Sequence, residues 1–154
     1  MKILQHYKNL KLTISESLLH KLEILGKKYY PNEFGGFLIR KYSDDLQSLE
    51  ICDCIAVEDF ISTPIEFIRQ SHLTNDFFKK LYSEHKTYYV GEWHTHPNGP
   101  AFYSQTDFQA MIDIAKHKDV QIQNPILLIL SITKEHLLDF NFFILDNNKL
   151  EIYE

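Results

Sequence analysis

Two histidines stand two residues apart in Gly91-Glu92-Trp93-His94-Thr95-His96-Pro97, and Ser104-Gln105-Thr106-Asp107 follows after a short loop. Tyr88 to Trp93 reads as a strand, and a strand sends side chains i and i+2 to the same face, so His94 and His96 point together. Two imidazoles side by side make half of a metal site. Asn98-Gly99-Pro100 turns the chain. Ser104 then stands where a helix N-cap belongs, ahead of the apolar-periodic run Phe108, Met111, Ile112 and Ala115, and Asp107 falls at the third helical position. A loop of this length can bring the first turn of that helix back to the strand end. One carboxylate would then oppose two imidazoles with a fourth position left for water, which is the donor set of a catalytic zinc.

Each piece also has a structural reading. A Ser-x-x-Asp pair ahead of an apolar run forms a capping box whose aspartate suits the positive end of the helix dipole. An isolated His-x-His is most often solvent-facing or structurally hydrogen-bonded. It is the order His, His, Pro, loop, Ser, Asp within one stretch that points to a metal. Glu92 has the strand parity of His94 and His96, so the strand pattern alone offers it as a fourth ligand or as a base.

His94-Thr95-His96-Pro97, six residues, then Ser104-x-x-Asp107 resembles the JAMM (MPN+) motif of metal-dependent isopeptidases, including those that remove ubiquitin and ubiquitin-like modifiers. The motif also has an upstream glutamate, and Asn32-Glu33-Phe34-Gly35-Gly36-Phe37-Leu38 resembles the Glu-x-x-Gly-x-Leu segment that carries it. The resemblance implies one JAMM domain over 1–154 with a cytidine-deaminase-like three-layer sandwich. It implies Zn2+ held by His94, His96 and Asp107, with Glu33 as proton shuttle and Ser104 as donor to the oxyanion. The implied substrate is the amide bond after the C-terminal tail of a ubiquitin-like modifier or sulfur-carrier protein. Short chains of the Glu-Trp-His-Thr-His-Pro type are similar to bacterial members, including those encoded beside ubiquitin-transfer-like enzymes in antiphage operons. Three alternatives remain: an MPN scaffold that binds proteins without catalysis, although all five motif positions are intact here; a small-molecule or cysteine-releasing hydrolase on the same site; and a RadC-like protein. The last shares the His-x-His-Pro, Ser and Asp pattern but usually carries an upstream helix-hairpin-helix region absent from this sequence.

The elements that must position these residues are legible in outline. At 154 residues, 44% of them hydrophobic, the chain suits one globular domain. Its net charge of −5 comes without a basic cluster, so nucleic acid is not an expected partner. No apolar run reaches the ~18 residues of a membrane span and no signal-peptide pattern opens the chain, so a cytoplasmic protein is expected. Ser15 caps a helix running to about Lys28, with Leu18, Leu19, Leu22 and Leu25 on one face and Gly26 and Pro31 bounding its end. Phe34 to Arg40 and Leu49 to Val57 read as an antiparallel hairpin turned by Tyr42 to Asp45. Cys52 and Cys54 should share a strand face as buried thiols. Glu58 to Pro64 reads as a loop, Ile65 to Ile68 as a short strand, and Leu73 to His85 as a helix with Leu73, Phe77, Phe78 and Leu81 inward. Thr87 to Thr95 is the central strand and Ser104 to Lys118 the third helix. Ile126 to Thr133 is an apolar run suited to a buried strand. Leu138 to Leu145 and Leu150 to Tyr153 close the sheet around an Asp146-Asn147-Asn148 turn. Interleaved strands and helices make the class α/β or α+β with a mixed sheet.

Overall fold

The computed structural model describes residues 1–41, 47–69, 75–118, 120 and 122–154. The elements are β1 (Lys2–Tyr7), β2 (Leu10–Ser15), α1 (Glu16–Lys27), β3 (Gly35–Lys41), β4 (Ser48–Ala56), β5 (Phe60–Thr63), β6 (Glu66–Arg69), α2 (Asn75–His85), β7 (Thr87–Pro97), α3 (Gln105–Lys116), β8 (Ile126–Ile132), β9 (Leu137–Asp146) and β10 (Lys149–Ile152). One sheet takes eight strands in the order β1-β2-β4-β3-β7-β8-β9-β10, parallel at β2/β4 and β7/β8 and antiparallel elsewhere, so it is mixed. β5 and β6 form a separate two-stranded hairpin.

Burial explains the layering. β8 is buried at every residue, as a central strand covered on both faces must be. Ile126, Leu128, Leu130 and Ile132 pack with Leu18, Leu19 and Leu22 of α1. Leu127 and Ile129 pack on the other face with Leu81 of α2 and with Met111, Ile112 and Ile114 of α3. The result is three layers: α1, the sheet, then α2 and α3.

α1 starts where Ser15 accepts a hydrogen bond from the Leu18 amide at 3.1 Å. Gly26 lies inside this helix rather than beyond it. A Cβ there would stand 2.4 Å from Thr95 Cγ2, so the glycine is what lets α1 lie close against β7. Gly35 does the same between strands. It pairs with His94, and a Cβ would meet the Trp93 carbonyl at 2.1 Å, so any larger residue would push β3 off β7 beside the first histidine.

Several sequence expectations are corrected. The segment expected as a loop before Pro64 contains β5, which lacks the clean alternation that its partner β6 has, so its pairing with β6 leaves no local signal. β1 was not anticipated either; it is an edge strand whose alternate residues are exposed. Cys52 and Cys54 do not share a face. The β3/β4 register passes from Ile39↔Asp53 to Arg40↔Ile51, and this irregularity turns Cys52 toward the α2/α3 side while Cys54 packs on the α1 side. The β3–β4 pair is antiparallel as expected, whereas its turn over Tyr42 to Asp45, like Leu73, lies outside the described residues. Asn147 and Asn148 both take positive φ, 51° and 61°, and form the two-residue turn that closes β9 onto β10.

Candidate metal centre

β7 alternates faces as its sequence requires. Trp93 and Thr95 are fully buried, with Gly26 of α1 close to both, and the Trp93 side chain packs in the core on the α1 side. His94 and His96 point to the α3 side, with their Nε2 atoms 3.2 Å apart. The loop after β7 returns the chain to α3, where Ser104 and Asp107 make a full capping box. The Ser104 amide donates to Asp107 Oδ2 at 2.8 Å, and the Asp107 amide donates to Ser104 Oγ at 3.1 Å. A cap of this kind stabilises a helix by about 1 kcal/mol. Here it also fixes the aspartate: Oδ1 lies 3.0 Å from His94 Nε2 and Oδ2 lies 3.2 Å from His96 Nε2. The capping and the metal-site readings of Asp107 are therefore compatible in one geometry.

Glu33, only 4% exposed, reaches the same place from the chain preceding β3, with Oε1 at 3.5 Å from His96 Nε2. One ligand atom from each of Glu33, His94 and His96 lies within 4.8 Å of the others. Proximity alone thus admits either carboxylate as third ligand. Asp107 has the better claim because it touches both imidazoles and Glu33 is in contact range of one.

Donor chemistry tests whether a metal fits. His96 Nδ1 lies 3.0 Å from the Pro100 carbonyl, which can only accept, so Nδ1 carries the proton and the neutral ring offers a bare lone pair at Nε2. That lone pair faces Asp107 Oδ2 and Glu33 Oε1, both also lone-pair donors when ionised. Such a convergence needs a cation, either a proton or a metal. Zinc about 2.0–2.1 Å from each ligand atom would sit in a tetrahedron with edges of about 3.3–3.4 Å. The separations of 3.0, 3.2 and 3.2 Å among His94, His96 and Asp107 match that scale. The Pro100 contact also gives His96 the outer hydrogen bond that metal-binding imidazoles have. The carbonyls on either side of Pro100 are held in turn: Ser131 Oγ donates to Gly99, and Asn141 Nδ2 donates to Ala101 at 2.7 Å.

Burial and mutual contact shift the titration of three of these side chains. Burial alone would raise the Asp107 pKa, but hydrogen bonds from His94 and His96 overcome it and hold the carboxyl far below its usual value. Burial works to lower His96, and against it the contacts with Asp107, Pro100 and Glu33 carry the net direction upward. Burial pushes Glu33 above the usual carboxylate range, opposed by the two histidines. The stabilisation from a raised His96 is fully present below its ordinary value of 6.5 and is lost as pH rises through the folded value. Raised Glu33 has the same sign; lowered Asp107 has the opposite sign and loses its contribution only in strong acid. Metal-free protein should therefore melt higher at pH 6 than at pH 8, and His96→Gln should remove that part of the slope. Zinc must displace the proton, so zinc affinity, read by chelator competition, should run the other way and be weaker at pH 6. Zinc affinity that does not change between these pH values would contradict the arrangement.

Glu92 has the expected parity but another partner. Its Oε1 accepts from Arg69 Nε at 2.8 Å, in a pair whose side chains are only 16% and 19% exposed. A cleft of about 690 Å³ opens beside the centre, with β6 residues Glu66, Phe67 and Arg69 on one side and Asp107, Ala110 and Met111 of α3 on the other. A larger cleft, about 1000 Å³, lies by Tyr88 and Tyr89 at the start of β7 and contains none of the four central residues.

Sequence reading did not single out Thr95, Pro100, Ser131 or Ser62. Thr95 lies inside the histidine motif, but its parity sends it to the opposite face. There its hydroxyl accepts from the Phe34 amide at 3.0 Å and its amide donates to the Phe34 carbonyl at 2.9 Å, anchoring the residue after Glu33. Long-range partners such as Ser131 and Ser62 leave no local signal.

A three-layer mixed-sheet fold with two imidazoles and two carboxylates converging at a strand end defines a candidate hydrolytic metal centre. Residues 15–142 match the family of prokaryotic homologs of the JAB domain, and the chain belongs to that family of bacterial JAMM/MPN domains. It is 34% identical over 122 residues to a protein of Enterobacter hormaechei subsp. hoffmannii named CD-NTase/cGAS isopeptidase, a match covering 77% of this chain and 66% of that protein, just under two thirds of its length. The solution structure of a Desulfitobacterium hafniense protein superposes with a TM-score of 0.63 at 16% identity, over 92% of this chain and 88% of the other. One from Salinibacter ruber gives 0.58 at 17% identity, over 92% and 86%. At such identities these two likenesses concern the fold alone.

Proposed function

We propose that the protein is a zinc-dependent isopeptidase, one JAMM-type domain that hydrolyses the amide bond after the C-terminal tail of a conjugated protein. The observation that carries this reading is the convergence of His94, His96 and Asp107 at tetrahedral spacing with Glu33 against them. When bound, zinc would polarise the scissile carbonyl and lower the pKa of water from 15.7 to about 7, making a nucleophile available near neutral pH. Glu33 takes the proton that water gives up and returns it to the leaving amine, so that water is added across the C–N bond with no net proton change. Its burial-raised pKa suits a group that must both accept and release a proton. The Ser104 oxygen accepts from the Asp107 amide, and its own hydroxyl proton is left to donate to the developing oxyanion. In this reading the cleft between β6 and α3 receives the tail.

The name of the Enterobacter relative supports a CD-NTase as the conjugated protein, with a ubiquitin-like modifier or sulfur-carrier protein as the other candidates; the antiphage setting rests on the resemblance of the Glu-Trp-His-Thr-His-Pro stretch alone. A non-catalytic scaffold is disfavoured because ligands and base converge together. The test is a panel of fusions in which each candidate tail is joined by an amide bond to a reporter. Cleavage after the last tail residue of one fusion is expected. Intact fusions throughout, with zinc-loaded folded protein, would count against an isopeptidase.

A further inference from the structure

Glu33 and Phe34 have all four backbone groups committed. On the β7 side, Phe34 bonds Thr95 through both its amide and its carbonyl. On the other side, the Glu33 amide donates to the Thr63 carbonyl at 2.9 Å, and the Ser62 hydroxyl donates to the Glu33 carbonyl. Two side chains, Ser62 and Thr95, thus fix the peptide group joining residues 33 and 34. Around this clamp the inner face of the β5–β6 hairpin packs on Phe34, through Phe60 at 5.2 Å and Phe67 at 5.9 Å between ring centroids.

We propose that Ser62 is a positioning residue for Glu33, holding its peptide group so that the carboxylate stays against His96. The inference rests on the reading of Glu33 as proton shuttle. Glu33 is nearly fully buried, so without the Ser62 hydroxyl its carbonyl has lost a partner that water does not readily replace. The peptide plane between residues 33 and 34 is then held on the Thr95 side alone and can tilt about that anchor, and a carboxylate displaced by a fraction of an ångström no longer meets the proton it must move. The β6 strand of the same hairpin, Glu66 to Arg69, borders the cleft, so substrate contacts and the position of Glu33 are set by one two-stranded unit.

The test uses the full chain with Ser62→Ala and Ser62→Thr. In Ser62→Ala, kcat on the cleaved fusion should fall about 10–100-fold at unchanged KM and unchanged zinc content, because β6 and the ligands are untouched. Ser62→Thr keeps the hydroxyl and should restore kcat. In a Glu33→Gln background, Ser62→Ala should cost nothing further, as expected of a residue that acts through Glu33. A second readout needs neither metal nor substrate. The Phe34 amide belongs to the clamped peptide group, and its hydrogen exchange should speed up roughly tenfold in Ser62→Ala while the Leu128 amide in β8 keeps its protection. Should the alanine variant not fold, Ser62→Cys, similar in size but a weak donor, takes its place. Wild-type kcat and wild-type Phe34 exchange in Ser62→Ala would overturn the proposal, as would an undiminished kcat loss in the Glu33→Gln background. If the wild-type protein cleaves no fusion, the isopeptidase reading falls, and the exchange measurement alone decides whether Ser62 holds this peptide group.

Discussion

Replacing His94, His96 or Asp107 by alanine is expected to strip most of the zinc from a protein that otherwise binds about one ion per chain, and to abolish hydrolysis. A site with three protein ligands loses its geometry with any one of them, whereas loss of an outer hydrogen-bond partner costs about 10–100-fold in affinity. A bound ligand at 100 times its dissociation constant stabilises the fold by about 2.7 kcal/mol, so these variants should also lose the rise in Tm that zinc gives the wild type. Asp107→Ala has a second cost, because it removes the carboxylate that accepts from the Ser104 amide. Asp107→Asn separates the two effects: the amide side chain can still cap α3 through its oxygen but is a poorer metal ligand. Elemental analysis and thermal melts with and without zinc read both. Full zinc occupancy in a His94→Ala, His96→Ala double variant would remove the basis for the site.

Glu33→Gln is expected to keep the fold and the zinc and to lower turnover by about 10²–10⁴-fold, the usual worth of a positioned proton shuttle. Glu92→Gln should leave turnover within a few fold and act on stability. It weakens a charged hydrogen bond to Arg69 whose whole worth is about 1.5–3 kcal/mol, so the cost should stay below that. The pair separates chemistry from architecture, since Glu33 lies against His96 whereas Glu92 is paired with Arg69. Near wild-type turnover in Glu33→Gln, or loss of zinc in Glu92→Gln, would reverse the assignment.

The contrast between these glutamates marks how far the sequence could be read. Strand parity correctly put Glu92, His94 and His96 on one face, and a Ser-x-x-Asp cap correctly placed Asp107 at the start of α3, because both are local regularities of one element. Parity has nothing to say about Arg69, which arrives from a hairpin distant in sequence, nor could it bring Glu33 to His96; only the resemblance to the JAMM motif pointed there. The three helices and the central strands were legible from apolar periodicity. β5 was not, because its exposed Ile61 and half-buried Phe60 and Ser62 make no pattern until β6 pairs with them. The cysteines were misplaced for a similar reason: a strand irregularity is set by the partner strand, so the shared face inferred from i to i+2 spacing did not survive pairing with β3.

The central claim is that hydrolysis runs on a metal held by β7 and α3 rather than on a thiol. Burial raises both cysteine pKa values, that of Cys54 to about 11, which leaves little thiolate for nucleophilic attack at neutral pH. The most direct measurement is cleavage of the susceptible tail fusion by one preparation divided four ways: untreated, stripped with a zinc chelator, stripped and given back one equivalent of zinc, and alkylated at its thiols. Activity should vanish on stripping, return with zinc and survive alkylation with the fold intact. Cleavage that persists after the zinc is gone, or that alkylation abolishes in folded zinc-loaded protein, would contradict the account.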